Sequence, residues 1–229
     1  MSEDDADFDP NAPPLFLTEV DKQVLAQTDE EYHYHTWEEL KQIISENRLE
    51  TLKRKPSDLR KYLAWLTRIK ATYGNITNYV LQERLHWIPL PPIAELPASD
   101  QVPTFKSRNP HPFADPDDYC ILKNDWPYGL ENGILHLVIW LKTPISVKPD
   151  TGEITDTGRA IVEKWIDTTF VQRLMQAGHT DGGNSSREKA LNKVLWFKNW
   201  TRLQSVRGLD HIHVLLRDIP EALQNEWMK

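Results

Sequence analysis

The sequence predicts an α+β protein in which an N-terminal helical region and a Pro-rich connector pack on a mainly antiparallel sheet with one long helix. Three observations predict it. Apolar residues recur at helical spacing through residues 36–86, prolines punctuate residues 88–116, and two-residue alternation takes over from Tyr119.

The acidic, Pro-containing residues 1–14 are poor in apolar groups, cannot offset the entropy of ordering, and read as a disordered tail. Residues 15–87 form the helical region. Thr36 and Glu39 make a capping box ahead of the stripe Trp37, Leu40, Ile43 and Ile44. A second helix follows Pro56-Ser57 with Leu59, Tyr62, Leu63, Leu66 and Ile69 on one face and Gly74 as its stop. A third spans Ile76 to His86. The connector, residues 88–118, is an extended wrapped segment, because its repeated prolines exclude helix interiors and central strands.

Residues 119–229 form the α+β core, integrated with the rest as one globular domain. Tyr119–Lys123 and Gly133–Lys142 read as strands that pair as a hairpin around the Asp125–Gly129 turn. Thr155–Gln176 reads as the long helix, with Val162, Trp165, Ile166, Phe170 and Leu174 on one face. The HTDGGNSS loop follows, either a plain connection or a phosphate cradle, and it lacks the P-loop pattern. Arg187–Lys193 reads as a short helix, Val194–Trp200 and Leu203–Val206 as strand, and Asp210–Arg217 as the clearest C-terminal strand. A last helix starts at Pro220.

Charge and composition narrow the function. The net charge is −7, but residues 1–31 carry −9 of it, which leaves the remainder near +2. That balance argues against nucleic acid as the main ligand, since phosphate-backbone binding needs a clustered excess of Lys and Arg. The longest apolar stretch, Ile134–Leu141, is far shorter than the roughly 20 residues of a spanning helix, so no membrane is expected. The single cysteine, Cys120, excludes an intramolecular disulfide and a thiolate zinc cluster. With no secretory or mitochondrial leader pattern, the expected location is cytoplasmic, with the nucleus as a second site.

The densest reactive grouping is Gln204 to Arg217. On a strand, His211, His213 and Leu215 share one side, while Ile212, Val214 and Leu216 face the core. Imidazoles titrating near pH ~6.5 suit nucleophile, acid/base or metal-ligand roles. Gln204 and Ser205 offer an amide and a hydroxyl to phosphate oxygens, and Arg217 offers charge. Three readings stay open for the His211/His213 pair: hydrogen-bonded structural histidines, a phosphate site, or a metal pair. His136 is either a satisfied strand histidine or a support for that pair. The Trp126–Gly129 turn either lays an aromatic face beneath a base or sugar ring or plugs a rigid turn.

The runs QSV and HIHVLLR, with KNDWPY and HLVIWLK upstream, resemble the histidine-triad (HIT) superfamily over residues 119–217. The resemblance implies a HIT-like sheet. It also implies that His211 attacks an α-phosphate beside His213, that Gln204 and Ser205 contact phosphate, and that Asn124 or Asp125 lies near a ribose, with Trp126, Tyr128 and His136 lining the pocket. The triad is incomplete: Leu209 stands first in this register, and in the other register His213 is second and Leu215 third. The long runs RKPSDLRKYLAWLTRIKATYGNITNYVLQERLHW and WFKNWTRLQSVRGLDHIHVLL resemble the fungal N-acetylglucosamine-induced protein family, which implies a link to amino-sugar response.

These features together make the leading expectation a binder of a small-molecule phosphate, nucleotide or nucleotide-sugar. With catalysis it is a divergent HIT-like hydrolase or transferase. No cofactor is expected. The alternative is a non-enzymatic adaptor in the N-acetylglucosamine response with a protein partner, and the third reading is a histidine metal site.

Overall fold

The computed structural model describes residues 17–90, 103–177 and 184–228. The acidic tail, residues 91–102 of the connector and residues 179–183 of the HTDGGNSS loop lie outside them. The chain divides into two compact units: residues up to His86 with Asp125–Glu131, and Trp87–Asn124 with Asn132 onward.

The first unit is helical. Helix α1 (Glu19–Leu25) opens with a Thr18/Asp21 capping box, α2 (Trp37–Ser45) with the Thr36/Glu39 box read from the sequence, and α3 (Pro56–Tyr73) with Pro56 in its first turn. Gly74 stops α3 at φ +78°, a left-handed conformation that costs glycine little. Helix α4 (Ile76–Tyr79) runs into a π-helical stretch, Val80–Leu85, with one residue too many for helical spacing. The apolar contacts are those the stripes predict: Val24, Leu59, Tyr62 and Leu63 form a cluster backed by Trp65, Leu66 and Trp126.

Residues Asp125–Glu131 are tied into this unit by their backbone. His35 bridges Leu130, and the Glu131 carboxylate accepts from the Trp37 amide at 2.8 Å. Lys53 O accepts from both the Tyr32 hydroxyl and the Gly129 amide, each at 2.8 Å. The Tyr32 ring therefore lies directly against Gly129, where a Cβ would meet Tyr32 ring atoms at 2.4 Å.

The second unit is built on a four-stranded antiparallel sheet: β1 (Tyr119–Lys123), β2 (Ile134–Leu141), β3 (Val194–Phe197) and β4 (Asp210–Arg217), in the order β1-β2-β4-β3. One helical run covers residues 156–176: α5 (Asp156–Ile166), a π turn at Asp167–Val171 and α6 (Gln172–Gln176). Helix α7 (Asn184–Leu191) precedes β3, and α8 (Glu221–Trp227) closes the chain. The core joins Leu137, Ile139, Ile212, Val214 and Leu216 from the sheet to Val162, Ile166 and Phe170 from the long helix. The α+β class, both central strands and the long helix are as the sequence predicts.

Three elements differ. Helix α1 has no counterpart in the predicted set, since its seven residues bury only Val24. The strand expected over Val194–Trp200 ends at Phe197. The strand expected at Leu203–Val206 is absent: Thr201–Leu203 is a 3-10 turn and no ladder continues beyond it. The apolar pair Leu203 and Val206 is separated by Gln204 and Ser205, which break the alternation that a strand needs.

Substituting Gly129→Ala forces the Tyr32 ring away from its seat, and overpacking of this kind costs about 1–3 kcal/mol. Chemical denaturation of the variant is expected to show a lower midpoint with an unchanged slope.

Candidate functional site

The β2–β4 register sets Val138 beside His213 and Trp140 beside His211, and β3 brings Phe197 beside His213. Side chains directly opposite on an antiparallel pair share a face. One face of the sheet therefore carries His136, His211 and His213, and the other carries the residues packed on the long helix. All three histidines are buried, with 3%, 4% and 7% of their surface exposed in that order.

Buried imidazoles need partners, and each of these has one. His136 Nε2 lies 3.0 Å from His213 Nδ1, and the Asn199 amide nitrogen is 3.3 Å from His213 Nε2. An amide N–H only donates, so His213 Nε2 accepts. In a neutral ring the proton is then on Nδ1, and it is donated to His136 Nε2. At the other end, Asn124 Nδ2 lies 3.3 Å from both ring nitrogens of His136, and its backbone N–H donates to His136 O at 2.9 Å. Phe197 stacks flat on His213, with ring centres 4.9 Å apart and planes 15° apart.

His211 stands beside this chain, its ring edge-on to His213 at 5.4 Å and against the Trp140 indole at 4.7 Å. Its Nδ1 is 2.8 Å from Leu209 O. A carbonyl only accepts, so Nδ1 carries the proton and Nε2 carries the lone pair. Burial pushes its pKa from 6.5 down to about 4; the Leu209 hydrogen bond and Asp210 oppose the shift, and Lys198 adds to it. The ring is neutral at physiological pH.

The other residues singled out in the sequence are placed as follows. Gln204 Nε2 donates to Asn199 O at 2.8 Å, which joins it to the histidine chain through one residue. Ser205 is exposed on the loop between β3 and β4. Arg217 lies six residues beyond His211 at the far end of β4, about 20 Å away at ~3.3 Å per residue. Asp125, Trp126 and Tyr128 belong to the first unit. There Asp125 pairs with Arg84 at 2.9 Å, Trp126 packs on Tyr62 and Trp65, and Tyr128 lies near the Arg54 guanidinium. His33 is exposed against Glu39, while His35 is half-buried on Thr51 O.

Among the described residues, no group of three or more His, Cys, Asp or Glu could hold a metal ion, and both ring nitrogens of His213 are already engaged. No described helix is long and apolar enough to cross a membrane. Two residues central to this geometry, Lys198 and Asn199, were not among those singled out. The only sequence signal for them is a polar pair directly after an apolar strand, which reads equally well as a turn.

The profile of a family described as "Protein of unknown function (DUF3605)" matches residues 36–217, a span that holds His136, His211, His213, Asn124 and Asn199. The chain belongs to the DUF3605 family. It is 29% identical over 195 residues to N-acetylglucosamine-induced protein 1 of Candida albicans, covering 83% of this chain and 71% of that protein. It is also 29% identical over 199 residues to the Uncharacterized protein YPL067C of Saccharomyces cerevisiae, covering 86% of each. A solved structure titled "Crystal Structure of HTC1" superposes with a TM-score of 0.55 at 26% identity, over 86% of this chain and 91% of that one. The kinship read from the long helical and C-terminal motifs thus has its counterpart in the Candida relative.

The depressed pKa of His211 couples folding to pH. Between about pH 6.5 and 4 the unfolded chain binds a proton that the folded chain does not, so stability falls as pH drops through that window. Urea denaturation at pH 7 and pH 4.5 is expected to show this loss, and His211→Gln to lack that component of it.

Proposed function

We propose that the histidine face of the sheet binds a phosphate-bearing small molecule of the nucleotide or nucleotide-sugar class. The observation that carries this reading is the Leu209 O contact, which accepts from His211 Nδ1–H and so leaves the lone pair of the neutral ring on Nε2. Two features support it. The segment Lys198–Leu209 contains Lys198, Arg202 and Arg207 and no acidic residue. Arg202, Ser205 and Arg207 are exposed, available to phosphate oxygens. The HIT-like motifs add the expectation that such a strand faces a phosphate.

The finer form of the proposal is transfer at phosphorus. His211 Nε2 forms a bond to phosphorus as the P–O bond to the leaving group breaks, and the leaving oxygen takes a proton from solvent. Water then attacks phosphorus, the N–P bond breaks, and a proton returns to solvent. With Leu209 in the first triad place, binding without turnover is the simpler case.

The name of the Candida relative favours a second reading, a regulatory or adaptor role in the N-acetylglucosamine response carried by a protein partner. The two separate in a thermal-shift panel of AMP, ADP, UDP-N-acetylglucosamine, N-acetylglucosamine 6-phosphate, inorganic phosphate and zinc, run on wild type and folded His211→Ala. Ligand binding to the folded state raises the melting temperature by several degrees at about 100-fold excess over Kd. A shift with one phosphate compound that disappears in His211→Ala is the expected result. No response from wild type to any phosphate compound would remove the phosphate reading and leave the adaptor.

A further inference from the structure

The Lys198 ammonium forms an ion pair with the Asp210 carboxylate, and only 4% of the lysine side chain and 16% of the aspartate side chain are exposed. The second carboxylate oxygen of Asp210 accepts from the Ile145 amide at 2.6 Å. One carboxylate therefore gathers three segments: the end of β3, the start of β4, and the connection that leaves β2. Lys198 directly precedes Asn199, the residue at His213 Nε2, and Asp210 directly precedes His211. The loop that carries Gln204, Ser205, Arg202 and Arg207 runs between the two charged residues, and their pairing closes its base.

We propose that Lys198 and Asp210 are a positioning pair, whose ion pair closes the base of the β3–β4 loop and sets two opposite, mutually offsetting charges beside His211. The inference rests on the phosphate-site reading for its functional meaning and on the ion-pair geometry for its physical content. A buried charge pair is a costly way to join two strands, because desolvation offsets much of the attraction, and replacement by apolar groups is often neutral. Such a pair has a distinct role where its charges act on a neighbour. Among the described residues, the charged and titratable groups acting on His211 are Lys198, Asp210 and His213. Trp140 on the remaining side carries no charge. Lys198 disfavours protonation of His211 and Asp210 favours it, so the intact pair leaves burial as the dominant influence.

The test is the titration of His211 by NMR of ring-labelled histidine in wild type, Lys198→Met, Asp210→Asn and Lys198→Arg, with folding checked by near-UV circular dichroism. Removing the cation exposes His211 to an unbalanced carboxylate and moves its midpoint up. Removing the anion leaves an unbalanced ammonium and moves it down. Lys198→Arg restores the wild-type midpoint. A merely structural clamp would loosen in both variants, admit water, and move both midpoints up towards 6.5, which would overturn the proposal, as would no movement in either. If Lys198→Met does not fold, the downward shift in Asp210→Asn decides alone. Inorganic phosphate binding by wild type at pH 7, followed in the same samples, separates the two ideas. Opposite shifts without phosphate binding overturn the anion site and keep the positioning pair, and binding without shifts does the reverse.

Discussion

The register of β2 against β4 is the constraint on which the rest of the second unit depends. Because side chains alternate across a strand, a slip of one residue would turn His211 and His213 towards the long helix and expose Ile212 and Val214 on the opposite face. The observed register does the reverse. It commits Leu137, Ile139, Ile212 and Val214 to the helix-covered core and collects three imidazoles on the other face. Apolar burial on one side thus pays for a fixed polar arrangement on the other, and the same pairing that stabilises the sheet places the chemistry.

That arrangement is compatible with burial only while the rings are neutral and hydrogen-bonded. A charged imidazole in a low-dielectric setting is strongly penalised, and an unbonded neutral one loses its hydration without return. The sheet meets both demands locally. Asn199 and His136 satisfy the two nitrogens of His213, and a backbone carbonyl two residues upstream satisfies one nitrogen of His211. The charges in the neighbourhood, Lys198 and Asp210, compensate each other. Rigidity follows from the same contacts, since Phe197 and Trp140 fill the space against the rings.

Much of this was legible in the residues. The alternation in DHIHVLLR fixed β4 and its two faces, and the apolar run ILHLVIWL fixed β2, because both strands are buried enough to impose a pattern. Helix α1 was not legible, having one buried residue in seven. The π turns at Val80–Leu85 and Asp167–Val171 leave no trace in a 3.6-residue periodicity. At the site, the histidines were visible as residue types, and the support of His213 by His136 was one of the readings the strand spacing allowed. The partners that set tautomer and charge were not: Leu209 acts through its carbonyl, and nothing in FKNW announces that Lys198 is buried beside Asp210. Trp126 and Tyr128, read as a pocket wall or a plug, have their contacts with Tyr62, Trp65 and Arg54 in the helical unit.

The central claim is that backbone and amide contacts fix the protonated nitrogen of each buried ring, and the most direct measurement is the set of histidine ring 15N chemical shifts at pH 7. His211 is expected to be neutral and protonated on Nδ1, with an unprotonated Nε2, and His213, facing the Asn199 amide at Nε2, to carry its proton on Nδ1. A His211 ring protonated on Nε2, or averaging between tautomers, would contradict it, because the Leu209 carbonyl would then not be orienting the lone pair.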